Sequence, residues 1–569
     1  MKLQIRRAIA CALGAVLLSA PISAAQAQKE ASRPKLVVLL VVDQMRADYV
    51  DKFRHQWTRG LKRVVEQGAW FRLAAYPYWS TQTCAGHATI STGAFPATHG
   101  IIGNAWWDRE AGKRVICTED AQTKSVGVGP ATEAGSSAAR LLVRSFADEL
   151  GAQSSAPVHV VSLSLKARSA IMLAGHRGTA VTWFGEKVSA WMTSTAYGPA
   201  LEPFVARYAK EHPVEADFGK VWERALPASA YLYLDDAPGE RPPRGWTSTF
   251  PHVLRGQSEK PDGAFYALWE KSPFADAHLG RMAEAAVDAL RLGSGRGTDF
   301  LAVSFSSLDL VGHSFGPFSH EVQDMLVRLD GTLGALLDHL DRAVGPNNYV
   351  VAVTADHGVA PIPEQASASG LDAGRIAGDE VVARVEKGLE ASLGPGRSVA
   401  QLVGNHLYFA PGVYQKLRSN PAAMQAAMEA ILSVPGVERV LRSEGVLERA
   451  TTDDPLRRAA SLSSFPGRTG DFVILQKPYW LMKGGPQEMV PTLGTDHGTT
   501  YGYDQRVPVF LMGFGIRAGE YLTDATPADI APTLAFLCGI MLARTDGRVL
   551  AEALGAGAAT PAKSGSLKH

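Results

Sequence analysis

Residues 36–43 read LVVLLVVD, a run of seven apolar side chains that ends in an aspartate. Such a run is typical of a strand that is buried on both faces of a parallel sheet. Phe53, Trp57 and Leu61 follow at helical spacing, and Gly68 supplies a stop signal. This segment therefore predicts a strand followed by a helix, the basic unit of an α/β protein.

The same alternation continues along the chain. Further strands are predicted at residues 158–162, 180–184, 300–305, 349–354 and 507–512. Helices are predicted at residues 139–150, 274–290 and 322–340, and a last one begins after an N-cap at Thr526. Strands that alternate with helices indicate an α/β fold with a doubly wound, mostly parallel central sheet and helices on both faces.

Two stretches interrupt this alternation and are interpreted as insertions. Residues of about 190–272 are rich in Pro, Gly, Trp and Tyr, which predicts irregular structure. Residues of about 362–490 contain strand and helix signals of their own, which predicts an inserted cap or subdomain. The main domain would extend over residues 35–545, and the Gly/Ala/Ser-rich tail at 555–569 is expected to be disordered.

The N-terminus has the pattern of a secretory signal peptide. Lys2, Arg6 and Arg7 precede an apolar run at residues 8–20, and residues 25–27 fit a small-x-small cleavage site. We therefore expect residues 1–27 to be removed after Ala27 and the mature protein to be periplasmic or secreted. The apolar run is too short for a spanning helix, and none of the later stretches predicts one. A retained N-terminal anchor is the alternative.

Composition and charge exclude several classes of protein. With 46 % hydrophobic and 20 % charged residues, the chain is neither disordered nor collagen-like. Its 57 basic and 56 acidic residues give a net charge of +1, and no long block of one sign is present. A basic face for nucleic acid is therefore not expected. The sequence gives no indication of the oligomeric state.

Cysteines are few. Cys11 would leave with the signal peptide, so the other three allow at most one disulfide. Cys84 and Cys117 are the shorter-range candidates for that bond, and Cys538 is expected to be a small buried hydrophobe in an apolar run. Without a CxxC pair, a thiolate metal site is not expected.

Aspartate and histidine residues stand at or near the carboxyl ends of the predicted strands. In open α/β sheets the reacting groups lie at this edge, so such residues can converge on one point. Carboxylate oxygen and imidazole nitrogen are ligands that zinc accepts. Three carboxylates and three imidazoles are too many for one tetrahedral zinc and about right for two. The six candidate ligands are Asp43, Asp309, His313, Asp356, His357 and His497.

Residues 81–93, TQTCAGHATISTG, and residues 98–104, THGIIGN, complete this pattern. Together with the six candidate ligands they closely resemble the alkaline phosphatase superfamily, over about residues 35–545. Within the superfamily the chain is similar to the secreted phosphatases with a threonine nucleophile and, more distantly, to the nucleotide pyrophosphatase/phosphodiesterases. Any one of these motifs alone would be weak evidence for the superfamily, but the whole set in this order is highly specific for it.

The resemblance implies a role for each motif residue. Thr83 would be the nucleophile, and Asp43, Asp356 and His357 would bind the zinc ion that activates it. A second zinc ion beside the leaving group would be bound by Asp309, His313 and His497. Asn104 would donate a hydrogen bond to a non-bridging phosphoryl oxygen. Zinc coordination lowers the pKa of a hydroxyl, so this arrangement is chemically reasonable. The remaining polar residues of the motif are interpreted as structural: Thr81, His87, Thr89, Ser91, Thr92 and His99.

Lys166-Ala167-Arg168 decides the subfamily. If the backbone were extended there, both cations would point to the same face and could bind one anion. The pair matches the Lys-x-Arg of the threonine phosphatases, which the phosphodiesterases of the superfamily lack. The resemblance thus implies a phosphomonoesterase that acts on small phosphate monoesters through a phosphothreonine intermediate.

Other functions on the same fold are alternatives to a phosphomonoesterase. A phosphodiesterase or nucleotide pyrophosphatase of the same superfamily is the main one. A non-catalytic binding module is a second, although it should have lost a ligand or the nucleophile. A sulfatase is not expected, because Cys84 is followed by Ala-Gly-His-Ala and does not fit the Cys-x-Pro-x-Arg motif of that class.

Overall fold

The computed structural model describes residues 33–127, 134–185, 188–448, 452–483 and 493–555. The predicted signal peptide and the predicted tail beyond Gly555 lie outside these residues. The strands within the described ranges are β1 (Leu36–Val42), β2 (Ala69–Phe71), β3 (Ala105–Asp108), β4 (Lys113–Ile116), β5 (Glu119–Val126), β6 (Ala134–Ser136), β7 (Val160–Ser164), β8 (Ala180–Gly185), β9 (Ala190–Ser194), β10 (Val221–Trp222), β11 (His252–Val253), β12 (Asp299–Phe305), β13 (Tyr349–Thr354), β14 (Gly374–Ala377), β15 (Val399–Val403), β16 (His406–Phe409), β17 (Val437–Arg442), β18 (Phe472–Gln476), β19 (Trp480–Lys483), β20 (Val509–Gly513) and β21 (Gly519–Tyr521).

The α-helices in the same ranges are Asp48–Phe53, Gly60–Gln67, Thr83–Thr92, Pro96–His99, Phe146–Gln153, Ala167–Ala174, Pro203–Glu211, Gly263–Glu270, Pro273–Leu290, Ser307–Phe315, His320–Ala343, Pro363–Ala368, Gly378–Leu393, Val413–Ser419, Pro421–Leu432, Ser443–Leu447, Pro455–Leu462, Gly502–Gln505 and Ile530–Cys538. Short 3-10 turns lie at Arg54–Gln56, Val214–Asp217, Ala228–Ala230, Pro527–Asp529 and Ala551–Ala553. Within the described ranges, none of the helices combines the length and the apolar character needed to cross a membrane.

An eleven-stranded sheet forms the centre of the molecule, in the order β21-β2-β20-β13-β1-β12-β7-β8-β9-β5-β6. Five strands at the centre of this order run parallel to one another, namely β13, β1, β12, β7 and β8. The next strand on either side, β20 or β9, is antiparallel. The predicted α/β fold is thus confirmed, with the parallel strands at the centre of the sheet and antiparallel pairs on both sides of them.

The central strand β1 shows why its sequence is apolar throughout. All seven of its residues are at most 2 % exposed. Leu36, Val38 and Leu40 pack into one hydrophobic cluster, and Val37 and Leu39 pack into another on the opposite face of the sheet. Side chains alternate between the two faces of a strand, so a strand covered on both sides has no position for a solvated residue.

Helices cover both faces of this sheet. One face packs against the long helices Pro273–Leu290 and His320–Ala343, whose apolar residues belong to the first cluster. The other face packs against Thr83–Thr92, Ala167–Ala174 and Ile530–Cys538. The helix Thr83–Thr92 is buried along its whole length, which keeps the start of that helix fixed against the sheet.

Several predicted boundaries differ from the structure. The helix predicted at 139–150 begins only at Phe146, because Ser145 and Asp148 form a capping box that sets its start. The strand predicted at 158–162 is shifted by two residues and is β7. Thr526 does precede the last helical segment, and its backbone N–H donates to Asp529 Oδ2 at 2.9 Å, but the first turn is a 3-10 turn and the α-helix begins at Ile530.

A second, antiparallel sheet with the order β15-β16-β18-β17 lies within the stretch of about 362–490. The helices Gly378–Leu393 and Pro421–Leu432 contribute to its own hydrophobic cluster. The turn between β15 and β16, at Gly404 and Asn405, borders the same cavity as Thr83. This sheet therefore provides a wall of the candidate site.

Candidate active site

Four adjacent strands of the central sheet deliver most of the predicted ligands, together with Lys166 and Arg168, to one edge. Asp43 follows β1 directly, and Asp356 and His357 come just after β13. The strand β12 leads into the helix that carries Asp309, and β7 leads into the helix Ala167–Ala174. These four strands are neighbours in the order β13-β1-β12-β7, and all four are parallel. Their carboxyl ends therefore meet at one place.

The first ligand group consists of Asp43, Asp356 and His357, all fully buried. Their ligand atoms lie within 4.8 Å of one another. His357 Nε2 is 3.5 Å from Asp43 Oδ1 and 3.4 Å from Asp356 Oδ2. Thr83 Oγ1 is also 3.5 Å from His357 Nε2. The structure thus brings the predicted nucleophile to the predicted ligand group.

The second ligand group is more open. Asp309 and His313 are one turn apart on the helix Ser307–Phe315, and His313 Nε2 is 3.2 Å from Asp309 Oδ1. His497 Nε2 lies 3.8 Å from the same Asp309 oxygen. His497 also stacks on His357 with a distance of 3.5 Å between ring centroids, so the two groups adjoin.

Asp496 is a candidate ligand that was not among the six predicted from the sequence. Its Oδ1 atom is 3.8 Å from His497 Nε2 and 3.9 Å from His313 Nδ1, and these three residues form a possible metal-binding group. A sequence signal was available, because residues 496–498 repeat the Asp-His-Gly of residues 356–358.

All three histidines are oriented in the same way. The Nδ1 atoms of His313, His357 and His497 lie 2.9, 2.9 and 2.7 Å from the backbone carbonyl oxygens of Thr495, Gly358 and Thr81. A carbonyl oxygen only accepts, so each Nδ1 carries a proton and each Nε2 faces the site, where it can bind a metal in the neutral form of the ring. Histidine ligands of metals are commonly anchored in this manner. The buried Asp43 Oδ1 has no hydrogen-bond partner among the described residues. These residues therefore fit a bound metal.

The electrostatics of the site also favour divalent cations. Three buried carboxylates, those of Asp43, Asp309 and Asp356, face one lysine. Burial and the charges of the other two carboxylates raise the pKa of Asp43 well above its ordinary value. Burial alone would raise the pKa of Asp309, but the charges of Lys166 and His313 outweigh it and lower that pKa. Burial, with the charge of His357, lowers the pKa of His497 to about 3, so its imidazole is neutral.

Thr83 is the first residue of its helix, and the positive end of the helix dipole there favours anions. A tight contact allows this placement: a Cβ atom at Gly86 would lie 2.2 Å from the backbone oxygen of Asp356. Only glycine lets the helix approach the Asp356 loop so closely. His87 Nδ1 is 2.8 Å from the Thr83 carbonyl oxygen and 3.2 Å from Asp356 Oδ2, which agrees with a structural role.

Asn104 lies beside Thr83 with its side-chain amide in a defined orientation. Its Oδ1 accepts a hydrogen bond of 2.8 Å from the backbone N–H of Cys84. Its own backbone N–H donates to Gln82 Oε1 at 2.8 Å. The Nδ2 end therefore remains as the donor toward the cavity that Asn104 lines.

The backbone from Lys166 to Arg168 is not extended throughout, in contrast to the expectation. The strand β7 ends at Ser164, so Lys166 is the N-cap of the next helix and Arg168 lies in its first turn. Lys166 is buried, with Nζ 2.6 Å from Asp43 Oδ2 and in contact with Asp309 Oδ2. Arg168 lines the cavity instead. The prediction from alternating side chains was wrong, because a helix begins between the two cations.

Gln44 is a second site residue that was not predicted from the sequence. Its backbone N–H donates to Asp356 Oδ1 at 3.2 Å, and its Nε2 donates to Asp309 Oδ1 at 2.7 Å. It adopts a left-handed backbone with a φ of 70°. Gln44 thus orients one carboxylate of each ligand group, and its only sequence signal is its position next to Asp43.

The candidate disulfide between Cys84 and Cys117 is formed, and Cys538 is buried with a free thiol. The polar residues that were interpreted as structural bond within the fold: Thr81, Thr89, Ser91, Thr92 and His99. A cavity of about 310 Å³ remains, bordered by Thr83, Asn104, Arg168, His313 and His497.

The chain is similar to known phosphatases over most of its length. The family model described as type I phosphodiesterase / nucleotide pyrophosphatase matches residues 37–504. Alkaline phosphatase PhoV of Synechococcus elongatus is 31% identical over 519 residues, which covers 90% of this chain and 90% of the relative. Alkaline phosphatase PafA of Elizabethkingia meningoseptica is 31% identical over 556 residues, which covers 95% of this chain and 98% of the relative.

The fold is also similar to that of PafA. The crystal structure of wild-type alkaline phosphatase PafA has a TM-score of 0.83 and 31% identity, and covers 92% of this chain and 99% of that one. A further PafA structure, with the same TM-score and 30% identity over the same shares, carries four substitutions. They change a threonine to serine and replace an asparagine, a lysine and an arginine by alanine.

Proposed function

The chain belongs to the type I phosphodiesterase / nucleotide pyrophosphatase family of the alkaline phosphatase superfamily, and from this premise we propose that it hydrolyses phosphate monoesters through a covalent phosphothreonine at Thr83. It is an alkaline phosphatase-like phosphoester hydrolase, as its similarity to PhoV and PafA shows. The observation that carries the finer proposal is the placement of Thr83 Oγ1, 3.5 Å from His357 Nε2, in a cavity that Arg168 also lines.

We propose two zinc ions as the cofactors. Asp43, Asp356 and His357, with Thr83, would hold one, and Asp309, His313 and His497 would hold the other; Asp496 is an additional candidate for the second. Bound zinc lowers the pKa of a coordinated hydroxyl and stabilises the charge on the attacking and departing oxygens of an in-line displacement.

The chain's own residues position the reacting atoms. Thr83 Oγ1 would attack phosphorus as the bond to the leaving alcohol breaks, and water would then release inorganic phosphate from the threonine. The start of the helix Thr83–Thr92 favours the anionic phosphoryl group. The Asn104 amide nitrogen would donate to one non-bridging oxygen, because its oxygen is already held by Cys84.

Arg168 supports the choice of a monoester. Above a pH of about 6 a monoester is largely a dianion, with one more charge and one more non-bridging oxygen than a diester. A guanidinium can bind such oxygens in a fork, and Arg168 Nε is buried without a hydrogen-bond partner among the described residues. Lys166 would also bind the phosphoryl oxygens once divalent cations bind Asp43 and Asp309, since its ammonium would then be released from these two carboxylates.

The relatives give further support. PhoV and PafA are both named alkaline phosphatases. The four residue types substituted in the second PafA structure recur here as Thr83, Asn104, Lys166 and Arg168, at the same intervals along the chain. The sequence pattern of residues 1–27 supports a periplasmic or secreted location, and the Cys84–Cys117 disulfide agrees with an oxidising compartment.

A phosphodiesterase is the second candidate, favoured by the description of the matching family. Rates with matched aryl phosphate monoester and diester substrates, measured on the purified chain with zinc and with a chelator, decide between the two. We expect the monoester to be hydrolysed with the higher kcat/KM and the chelator to stop both reactions. A higher kcat/KM for the diester would establish the phosphodiesterase instead.

A further inference from the structure

The Cys84–Cys117 disulfide joins the nucleophile helix to a separate hairpin. Cys84 directly follows Thr83 in its helix, and Cys117 directly follows β4. The strands β3 and β4 form a two-stranded sheet that is not part of the eleven-stranded one. The disulfide is therefore a covalent link between the element that carries Thr83 and the hairpin that begins next to Asn104.

Both half-cystines bind Asn104. The backbone N–H of Cys84 donates to Asn104 Oδ1 at 2.8 Å, and the backbone N–H of Cys117 donates to the Asn104 carbonyl oxygen at 3.0 Å. One half-cystine thus holds the side chain and the other holds the main chain. Asn104 sits between the two ends of the covalent link.

The surroundings of the link are rigid. Cys84 and Cys117 are both fully buried in the apolar cluster that includes Ile102, Trp106 and Val115. The sulfurs do not line the cavity, whereas Asn104 and Thr83 do. The disulfide can therefore affect the reaction only through residues whose positions it fixes.

We propose that the Cys84–Cys117 disulfide positions the Asn104 amide relative to Thr83, so that the amide meets the phosphoryl oxygen with little reorganisation. This inference rests on the proposed phosphoester hydrolysis at Thr83. Cys84 and Cys117 are positioning residues, because they touch neither the substrate nor the reacting atoms. A hydrogen-bond donor that is held in place stabilises the transition state more than a donor that must be ordered during the reaction.

A double-mutant cycle tests the inference. It compares the wild type, Cys84→Ala/Cys117→Ala, Asn104→Ala and the triple variant, with kcat/KM for the phosphoester that the wild type hydrolyses best. We expect the loss of the disulfide to lower kcat/KM about tenfold when Asn104 is present, and less than about twofold when it is absent. Equal losses in the two backgrounds would overturn the proposal, since the disulfide would then act independently of Asn104.

Thermal unfolding of all four chains separates positioning from stability. Assays are run well below the lowest Tm, so a fall in Tm alone does not change the cycle. If the cysteine variant does not fold, wild-type and Asn104→Ala chains are first folded with the disulfide formed, the disulfide is then reduced, and the same comparison is made. A wild-type preference for diesters would contradict the proposed function. The double-mutant cycle could still be measured with the diester, because Asn104 can donate to a phosphoryl oxygen of either substrate.

Discussion

The two ligand groups at the edge of the central sheet use the same residue types but differ in enclosure. Asp43, Asp356 and His357 are fully buried. In the second group the side chains of Asp309 and His497 are also buried, at 3 % and 5 % exposed, but that of His313 is 16 % exposed and that of the neighbouring Asp496 is 38 % exposed. The enclosed group contacts Thr83, the proposed nucleophile, whereas the open group borders the cavity through which a leaving alcohol would depart.

The difference arises from the elements that carry each group. The enclosed residues come at or just after the ends of β1 and β13, which are buried on both faces. The open group combines one helix, Ser307–Phe315, with a loop around His497. Strand ends in the middle of a sheet exclude water, and a loop admits it. The enclosed group is suited to hold an attacking oxygen in one position, and the open group is suited to product release.

Metal removal is expected to have the largest effect. A chelator should abolish turnover, and about two zinc ions per chain should restore it, because three carboxylates and three imidazoles can coordinate two such ions and need their charge. The comparison of the two groups predicts loss in two phases, with the open group emptied first. Metal content by elemental analysis against time checks this. Full activity in a verified metal-free sample would rule out the proposed chemistry.

Thr83 tests whether the enclosed group holds the nucleophile. Thr83→Ala should lower kcat/KM by roughly 10⁴-fold or more, as for other covalent hydrolases without their nucleophile. Thr83→Ser should retain measurable activity, since the hydroxyl remains. Mass spectrometry after acid quenching should find phosphate on residue 83. Phosphate on Thr81 or Ser91 would show that the nucleophile was misassigned.

A matched pair of ligand substitutions tests the difference in enclosure itself. Asp356→Ala should lower kcat/KM by about 10³-fold, because several kcal/mol of charge stabilisation depend on the enclosed group. Asp496→Ala should lower it only about tenfold, as expected for an outer residue of the open group. Bound zinc is measured for both variants. Equal losses would mean that Asp496 is a full ligand and that the two groups are not functionally distinct.

The smallest effects concern the phosphoryl oxygens. Arg168→Ala should lower monoester kcat/KM by about tenfold to a hundredfold and diester kcat/KM much less, since one charge-assisted hydrogen bond contributes about 1.5–3 kcal/mol. Lys166→Ala should show the same preference. Arg114→Ala, at the exposed rim of the same cavity, is the control and should change either rate less than about threefold. Equal losses on both substrates would favour the phosphodiesterase.

The parts of the site that could be predicted from the sequence are those attached to buried parallel strands. A wholly apolar run that ends in Asp43 fits a buried strand better than any helix or loop, and the same holds for residues 349–357. The prediction that Lys166 and Arg168 share one face was wrong because a helix begins at Ala167. Lys166 is still extended as the N-cap of that helix, whereas Arg168 lies in its first turn and faces a different direction.

Other features depend on contacts that no local pattern contains. Gln44 contacts Asp309, which is 265 positions away. The wall of the cavity at Gly404 and Asn405 comes from the second sheet, more than 300 positions along the chain from Thr83. Such contacts are set by tertiary packing, so periodicity and propensity could not have located them.

The buried ion pairs of Lys166 have a consequence for the order in which the protein matures. Asp43 and Asp309 belong to different ligand groups, and one ammonium contacts a carboxylate of each. A buried carboxylate without any partner would strongly oppose folding. Because the polypeptide supplies one counter-ion of its own for these two carboxylates, we expect the apoprotein to fold and close its disulfide before it meets a divalent cation. For a chain exported as proposed, folding and metal uptake would then be separate events, and the supply of zinc outside the cell would govern when the enzyme becomes active.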